Sequence, residues 1–201
     1  MLEPGARCRP WHEDGSGSCS WDSCSFGWFV GTSTQIYNLT AGHCGEVGDA
    51  AYVDISGKDS VYINEFVHSD FNNARLSTGS DYDLIEIESH YFDNDVTKPC
   101  VHMSDESVQI RGSADASWLE ADEPYMCRLG FRTGLSCGPF PEITDQGDSG
   151  GVIWVFAPND SSMQYIYAVA VNSYGSDYDA TMTGRRLVKP VMTDFGFGNF
   201  N

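Results

Sequence analysis

The chain has 201 residues, 41% of them hydrophobic and 13% aromatic, enough to fill one domain or two small subdomains sharing a core. Its 11 basic and 29 acidic residues leave a net charge of −18, which repels phosphate backbones and anionic lipid and sets aside nucleic acid and membranes as partners. No run of about 18 apolar residues marks a transmembrane helix, and Met1-Leu2-Glu3-Pro4-Gly5 opens no signal peptide, so the chain reads as a mature fragment rather than a full precursor.

Residues 1–23 are rich in Gly, Ser, Pro and charge and read as an irregular N-terminal arm. From Cys24 onward, short β-prone runs alternate with turn residues. Strands are predicted at Phe26–Val30, Gln35–Leu39, Ala50–Ile55, Val61–Phe66, Leu84–Ile87 and Val108–Ile110, then at Met126–Leu129, Val152–Phe156 and Ile166–Val171. Tyr91–Pro99 reads as a crossing between two halves, and the Ser-, Asp- and Glu-rich stretch Asp105–Asp122 as a second connection. Only Pro190–Phe195 suggests a helical turn. The pattern is that of an all-β protein of about a dozen strands, a barrel or a sandwich.

Seven cysteines without a Cys-x-x-Cys pair point to disulfides and an oxidising compartment. Zinc would want closely spaced pairs, and Cys19 with Cys24 has no matching second pair, so no metal is expected. The odd count leaves at least one thiol free or intermolecular.

Gly147-Asp148-Ser149-Gly150-Gly151 holds a serine between glycines. A serine hydroxyl needs a base to become a nucleophile, and acyl transfer needs backbone N–H groups aimed at the developing oxyanion. Glycines let the main chain turn tightly and present those groups. All five histidines precede Ser149, which excludes the nucleophile elbow of α/β-hydrolases, where the histidine follows the serine. Among them, His43 in Leu39-Thr40-Ala41-Gly42-His43-Cys44 follows a β-prone run directly, with small residues before it and a cysteine after it. His12 lies in the arm, and His68, His90 and His102 lie in polar contexts that read as solvated surface.

These two motifs, in this order, resemble those of the chymotrypsin-like serine endopeptidases, particularly short bacterial secreted members such as the streptogrisins and α-lytic protease. Cys127-Arg128-Leu129-Gly130-Phe131-Arg132-Thr133-Gly134-Leu135-Ser136-Cys137-Gly138 is similar to a cysteine-bounded hairpin of the bacterial members. The resemblance spans residues 24–195. It implies two antiparallel six-stranded β-barrels with a short C-terminal helical turn, residues 24–95 carrying His43 and 96–201 carrying Ser149. The orienting carboxylate would come from Ser80-Asp81-Tyr82-Asp83-Leu84-Ile85-Glu86-Ile87. The family pattern is an aspartate with aliphatic residues at its third and fourth following positions, which Asp81 satisfies and Asp83 does not. Alternation places both on one face and does not separate them.

By the same resemblance Ser149 is the nucleophile, His43 the base and Asp81 its orienter, with the N–H groups of Gly147 and Ser149 as oxyanion hole. Arg128 matches the arginine that pairs with the aspartate beside the serine, here Asp148, which implies activity without a freshly cut N-terminal Ile. Cys24–Cys44 and Cys127–Cys137 are the implied disulfides. Cys100 would tether the arm through Cys8 or Cys19, with Cys8–Cys19 and a free Cys100 the open alternative. The specificity pocket would be walled by Ile143, Thr144, Asp145 and Gln146 and by Ser173, Tyr174 and Gly175, the last three pairing with substrate backbone. Ile143, where trypsin-type members carry aspartate, disfavours basic residues; Asp145 keeps that preference open, and the default is a medium or large apolar side chain. Arg185 and Arg186 stand where the resemblance would place a third wall, or as exposed cations.

The resulting expectation is a secreted, monomeric serine endopeptidase without cofactor, whose partners are polypeptide substrates and protein inhibitors. A catalytically silent binding protein on the same scaffold and a serine esterase are the alternatives. Asn38-Leu39-Thr40 and Asn159-Asp160-Ser161 fit the glycosylation pattern; the first falls in a predicted buried strand, and the second is usable only in a eukaryotic secretory pathway.

Overall fold

The computed structural model describes residues 2–13, 19–21, 23–54, 60–71, 81–88, 100–103, 106–122, 124–138, 148–175 and 183–200; at 13, 19–21, 100, 102–103, 106, 174–175, 183–186 and 199 only the backbone is described. Its first half holds β1 (Arg7–Glu13), β2 (Cys19–Trp21), β3 (Cys24–Ser25), β4 (Trp28–Gly31), β5 (Ile36–Thr40), a 3₁₀ turn (Gly42–Cys44), β6 (Ala50–Val53), β7 (Val61–Phe71) and β8 (Asp81–Ile87). The second half adds β9 (Cys100–Met103), β10 (Glu106–Ser113), α1 (Ala116–Asp122), β11 (Met126–Gly130), β12 (Gly134–Gly138), β13 (Val152–Phe156), β14 (Tyr165–Gly175), β15 (Thr183–Leu187), α2 (Val188–Phe195) and β16 (Asn199–Phe200).

Two sheets result. The first runs β16-β4-β5-β8-β7-β6-β1-β2 with β3 paired to β1; the second runs β12-β11-β13-β14-β10-β9 with β15 paired to β14. They hold nine and seven strands rather than six each. The first is enlarged because residues expected as an irregular arm form β1 and β2, and because the C-terminal β16 returns to β4. Arg7, Arg9 and Pro10 make β1 look like a loop in sequence, yet its backbone pairs with β6 across Cys8↔Val53 to Trp11↔Ala50. One pairing is not antiparallel: β10 runs parallel to β14, joined by a long crossover through α1, β11, β12 and β13. The stretch Asp105–Asp122, read as a connection around the short strand Val108–Ile110, carries all of β10 and all of α1, while Tyr91–Pro99 lies outside the described residues.

Alternation explains the continuous burial of β4 and β8, since both faces are covered. Phe29 of β4 and Ile85 and Ile87 of β8 join Phe26, Ile63 and Phe66 inside the first sheet. Their neighbours Trp28, Val30, Tyr82 and Leu84 face the second sheet and pack with Val108, Val152, Trp154, Ile166 and Val171. Trp28 also donates its indole N–H to the Ala170 carbonyl at 2.9 Å, tying the layers together. Helix α2 buries Val188, Val191 and Met192 in this shared core and ends at Gly196, whose φ of 66° closes the cap onto the Met192 and Thr193 carbonyls. Asp81 and the Ser149 turn lie where these two layers meet.

Candidate active site

His43 sits in the 3₁₀ turn that ends β5, and the next residue, Cys44, is bonded to Cys24 of β3. The turn lies hard against β8. A Cβ at Gly42 would stand 2.7 Å from the Tyr82 nitrogen and 3.0 Å from the Asp81 Oδ1, so only glycine lets it approach this closely.

Asp81 opens β8 and receives the turn twice. The backbone N–H of His43 donates to its Oδ1 at 2.9 Å, and His43 Nδ1 lies 3.0 Å from its Oδ2. A carboxylate only accepts, so Nδ1 carries a proton, and in the neutral ring Nε2 keeps its lone pair. The Ser173 hydroxyl of β14 donates to the same Oδ2. Burial alone would raise the Asp81 pKa, but the hydrogen bonds from His43 and Ser173 and the nearby His43 charge outweigh it and hold the carboxyl below its usual value. Asp81 is 9% exposed and His43 28%, an anchored ring with an open edge.

The turn bearing Ser149 precedes β13 and is clamped from both sheets. The Ser25 N–H donates to the Ser149 carbonyl at 2.7 Å, and the Gly150 N–H donates to the Asn172 carbonyl at 2.7 Å. Gly150 has φ of +87°, and a Cβ there would stand 2.0 Å from the Thr40 Oγ1. The Ser149 turn therefore packs on the residue three before His43 and is bonded to the residue before Ser173.

Asp148 points the other way, into protein. Its Oδ2 lies 2.7 Å from Arg128 Nη1 and accepts the Thr133 hydroxyl at 2.6 Å, while its Oδ1 accepts the N–H groups of Arg132 and Thr133 at 2.9 and 3.0 Å. Both charged side chains are buried. Arg128 and Thr133 belong to the hairpin of β11 and β12, which Cys127–Cys137 staples.

Of the residues read as a substrate wall, Ile143, Thr144, Asp145 and Gln146 lie outside the described residues, as does Gly147. Tyr174 and Gly175 are described as backbone of β14, and Arg185 and Arg186 as backbone of β15. The Ser173 side chain turns its hydroxyl to Asp81, a link over 92 residues that no local pattern announces. His68 is not a solvated loop residue but part of β7, stacked on Tyr82 with centroids 5.4 Å apart and edge-on to Phe195 at 4.9 Å. His12 lies on β1 beside Asp49, Nδ1 to Oδ1 2.8 Å. His90 is outside the described residues and His102 is described as backbone only. Cys8 is a free, buried thiol rather than a partner of Cys19 or Cys100, whose side chains are not described. Among the described residues, the cluster of Cys24, His43 and Cys44 is close enough to share an ion, but its two sulfurs form the disulfide and offer no thiolate.

No protein-family model and no curated protein matches the sequence. Solved structures do. The Nocardiopsis protease aligns over 100% of this chain and 98% of its own, with a TM-score of 0.64 and 20% identity. Thermobifida fusca protease A aligns over 98% and 96%, with a TM-score of 0.60 and 22% identity. An α-lytic protease homologue aligns over 98% and 97%, with a TM-score of 0.58 and 15% identity. The chain has the chymotrypsin-like double-barrel fold. In that fold the two layers enclose His43, Asp81 and Ser173 at their junction, with the Ser149 turn alongside. Among the described residues no helix is long and apolar enough to cross a membrane.

Proposed function

We propose that this chain is a serine endopeptidase that cleaves polypeptides through an acyl-enzyme formed on Ser149. The observation that carries the reading is the imidazole of His43, held by its Nδ1 on Asp81 with the other ring edge open, beside a glycine-flanked serine turn. His43 Nε2 takes the Ser149 proton as the hydroxyl attacks the scissile carbonyl, and then delivers it to the leaving amine. Asp81 fixes the tautomer and stabilises the imidazolium without itself taking the proton. Ser173 keeps the Asp81 carboxylate in place.

The N–H groups of Gly147 and Ser149 receive the oxyanion; loss of one such donor costs about 3 kcal/mol. Arg128 holds Asp148 from inside the protein, so the oxyanion turn needs no charged N-terminus to order it. The backbone of Ser173, Tyr174 and Gly175 offers an edge for substrate to extend as a strand, with Ile143, Thr144, Asp145 and Gln146 completing the pocket. Two disulfides suit a protein that works in an oxidising, extracellular setting.

A diphenyl phosphonate reports the chemistry directly. The expected result is one covalent adduct per chain, mapped to Ser149 by peptide mass, with casein turned over and turnover lost in step with labelling. A folded protein that takes no adduct is not a hydrolase of this type but a binding protein on the same scaffold. Turnover of short-chain esters without casein would assign an esterase.

A further inference from the structure

The open side of His43 faces a cleft of about 380 Å³. Its walls include Pro10 and His12 of β1, Glu46 and Asp49 from the turn after His43, and Ser69 and Phe71 of β7. Among the described residues its lining comes from the first sheet and the turns between its strands, and none from the second, where Ser173, Tyr174 and Gly175 would guide the acyl part of a substrate. The cleft is therefore on the leaving-group side of His43, the side to which Nε2 returns its proton.

The chemistry of the cleft is cationic in preference. Among the described residues no lysine or arginine lines it. Asp49 is committed to the loop itself: Oδ2 accepts the Glu46 N–H at 2.8 Å and Oδ1 faces His12 Nδ1 at 2.8 Å. The loop is further pinned to β7, with the Gly48 N–H donating to the Phe66 carbonyl and the Phe66 N–H to the Asp49 carbonyl, both at 2.9 Å. This leaves the Glu46 side chain at the rim of a rigid turn, exposed, with no hydrogen bond or ion pair among the described residues. In the same cleft, the Phe71 ring lies 5.7 Å from the His43 ring and offers an apolar wall. A long aliphatic stem ending in a positive charge satisfies both features, whereas an acidic side chain meets Glu46 as a like charge.

We propose that this cleft is a subsite for a lysine or arginine side chain within the first two residues on the leaving-group side of the substrate, with Glu46 as its specificity-determining carboxylate. The proposal rests on the endopeptidase reading above. Glu46 touches neither the scissile bond nor the triad, and it acts on selectivity.

The test is cleavage of a peptide library randomised on both sides of the scissile bond, read by mass spectrometry with the intact chain, E46Q and E46K. Lysine and arginine are expected to be enriched on the leaving-group side, with a kcat/KM ratio of lysine to glutamine peptides of about fivefold, the strength of one partly exposed ion pair. Added salt lowers that ratio. E46Q brings it to about one, and E46K turns the preference toward glutamate, an inversion that a merely structural role for Glu46 does not produce. A library without cationic enrichment on that side, or an E46Q profile identical to the parent, overturns the subsite while leaving the endopeptidase standing. A protein that cleaves no library member overturns the endopeptidase reading and the subsite together.

Discussion

Asp81 and Asp83 stand two residues apart on one face of β8, and their surroundings drive them toward opposite protonation states. Asp81 reaches the seam between the sheets, where His43 and Ser173 donate to it. Asp83 points with Ile85 and Ile87 into the interior of the first sheet, where the Ser69 hydroxyl and the Gly45 N–H at 3.3 Å are its donors and, among the described residues, no arginine or lysine faces it. Burial, reinforced by the charges of Asp81 and Asp49, pushes its pKa up to about 8. The native state thus holds Asp83 as the neutral acid while the unfolded chain ionises it near 3.8. Its contribution to stability is complete below that value and is lost progressively as pH rises toward 8. Asp83→Asn removes the titration and keeps a polar side chain of the same shape. Its melting temperature is expected to match that of the parent near pH 4 and to exceed it by a widening margin up to pH 8. Parallel melting curves across that range would show that Asp83 is ionised in the fold. The spacing of aliphatic residues singled out Asp81 in the sequence. The physical difference between the two aspartates was not legible there, because alternation puts both on one face and only the packing of the 3₁₀ turn and of β14 separates them.

At the level of elements, the hairpin of β11 and β12 supports the Ser149 turn from behind. Arg128 contributes one strong charge-assisted bond to Asp148, and the backbone of Arg132 and Thr133 contributes two more. Arg128→Ala leaves a buried carboxylate without its counter-charge, a change that costs about 3–5 kcal/mol when partners are this well enclosed. A fall of that size in denaturant stability is expected, together with slower phosphonate labelling of Ser149. Lysine at 128, which keeps the charge but loses the planar fork, is expected to recover part of both. Full labelling at parental stability in Arg128→Ala would separate the hairpin from the site. This hairpin was legible because its cysteines, glycines and turn residues are local. So were the strands of β-branched and aromatic residues, β4 through β8, the centre of β10, β11, β13 and β14. The rest was hidden for identifiable reasons. Arg7, Arg9 and Pro10 give β1 the composition of a loop, and its strand character comes from β6. The acidic and serine-rich region that holds α1 lacks a buried face to mark a helix: none of the α1 residues is buried, and only Trp118 and Leu119 pack partly against the cluster of Ala114, Met126, Ile153 and Val155.

Over the whole molecule, a well-filled core between two sheets has to hold together a surface with 18 more acidic than basic charges. The described ion pairs at the surface, Arg7 and Arg9 with Asp54 and Lys189 with Asp115, are partly or largely exposed and each contributes about 0–1 kcal/mol. Like-charge repulsion is longer in range and more numerous. A domain of this length has a radius of gyration of about 16 Å. At 10 mM salt the screening length of about 30 Å spans the molecule, so every acidic residue acts on every other. At 150 mM it shrinks to about 8 Å and only neighbours interact. Screening therefore weakens a few short attractive pairs slightly and a global repulsion strongly. The melting temperature at pH 7 is expected to rise by several degrees between 10 and 150 mM sodium chloride and then level off. Potassium chloride is expected to act identically, since the effect depends on ionic strength and not on a bound ion. A melting temperature that falls over this range would show that local ion pairs outweigh the net charge in holding the two sheets together.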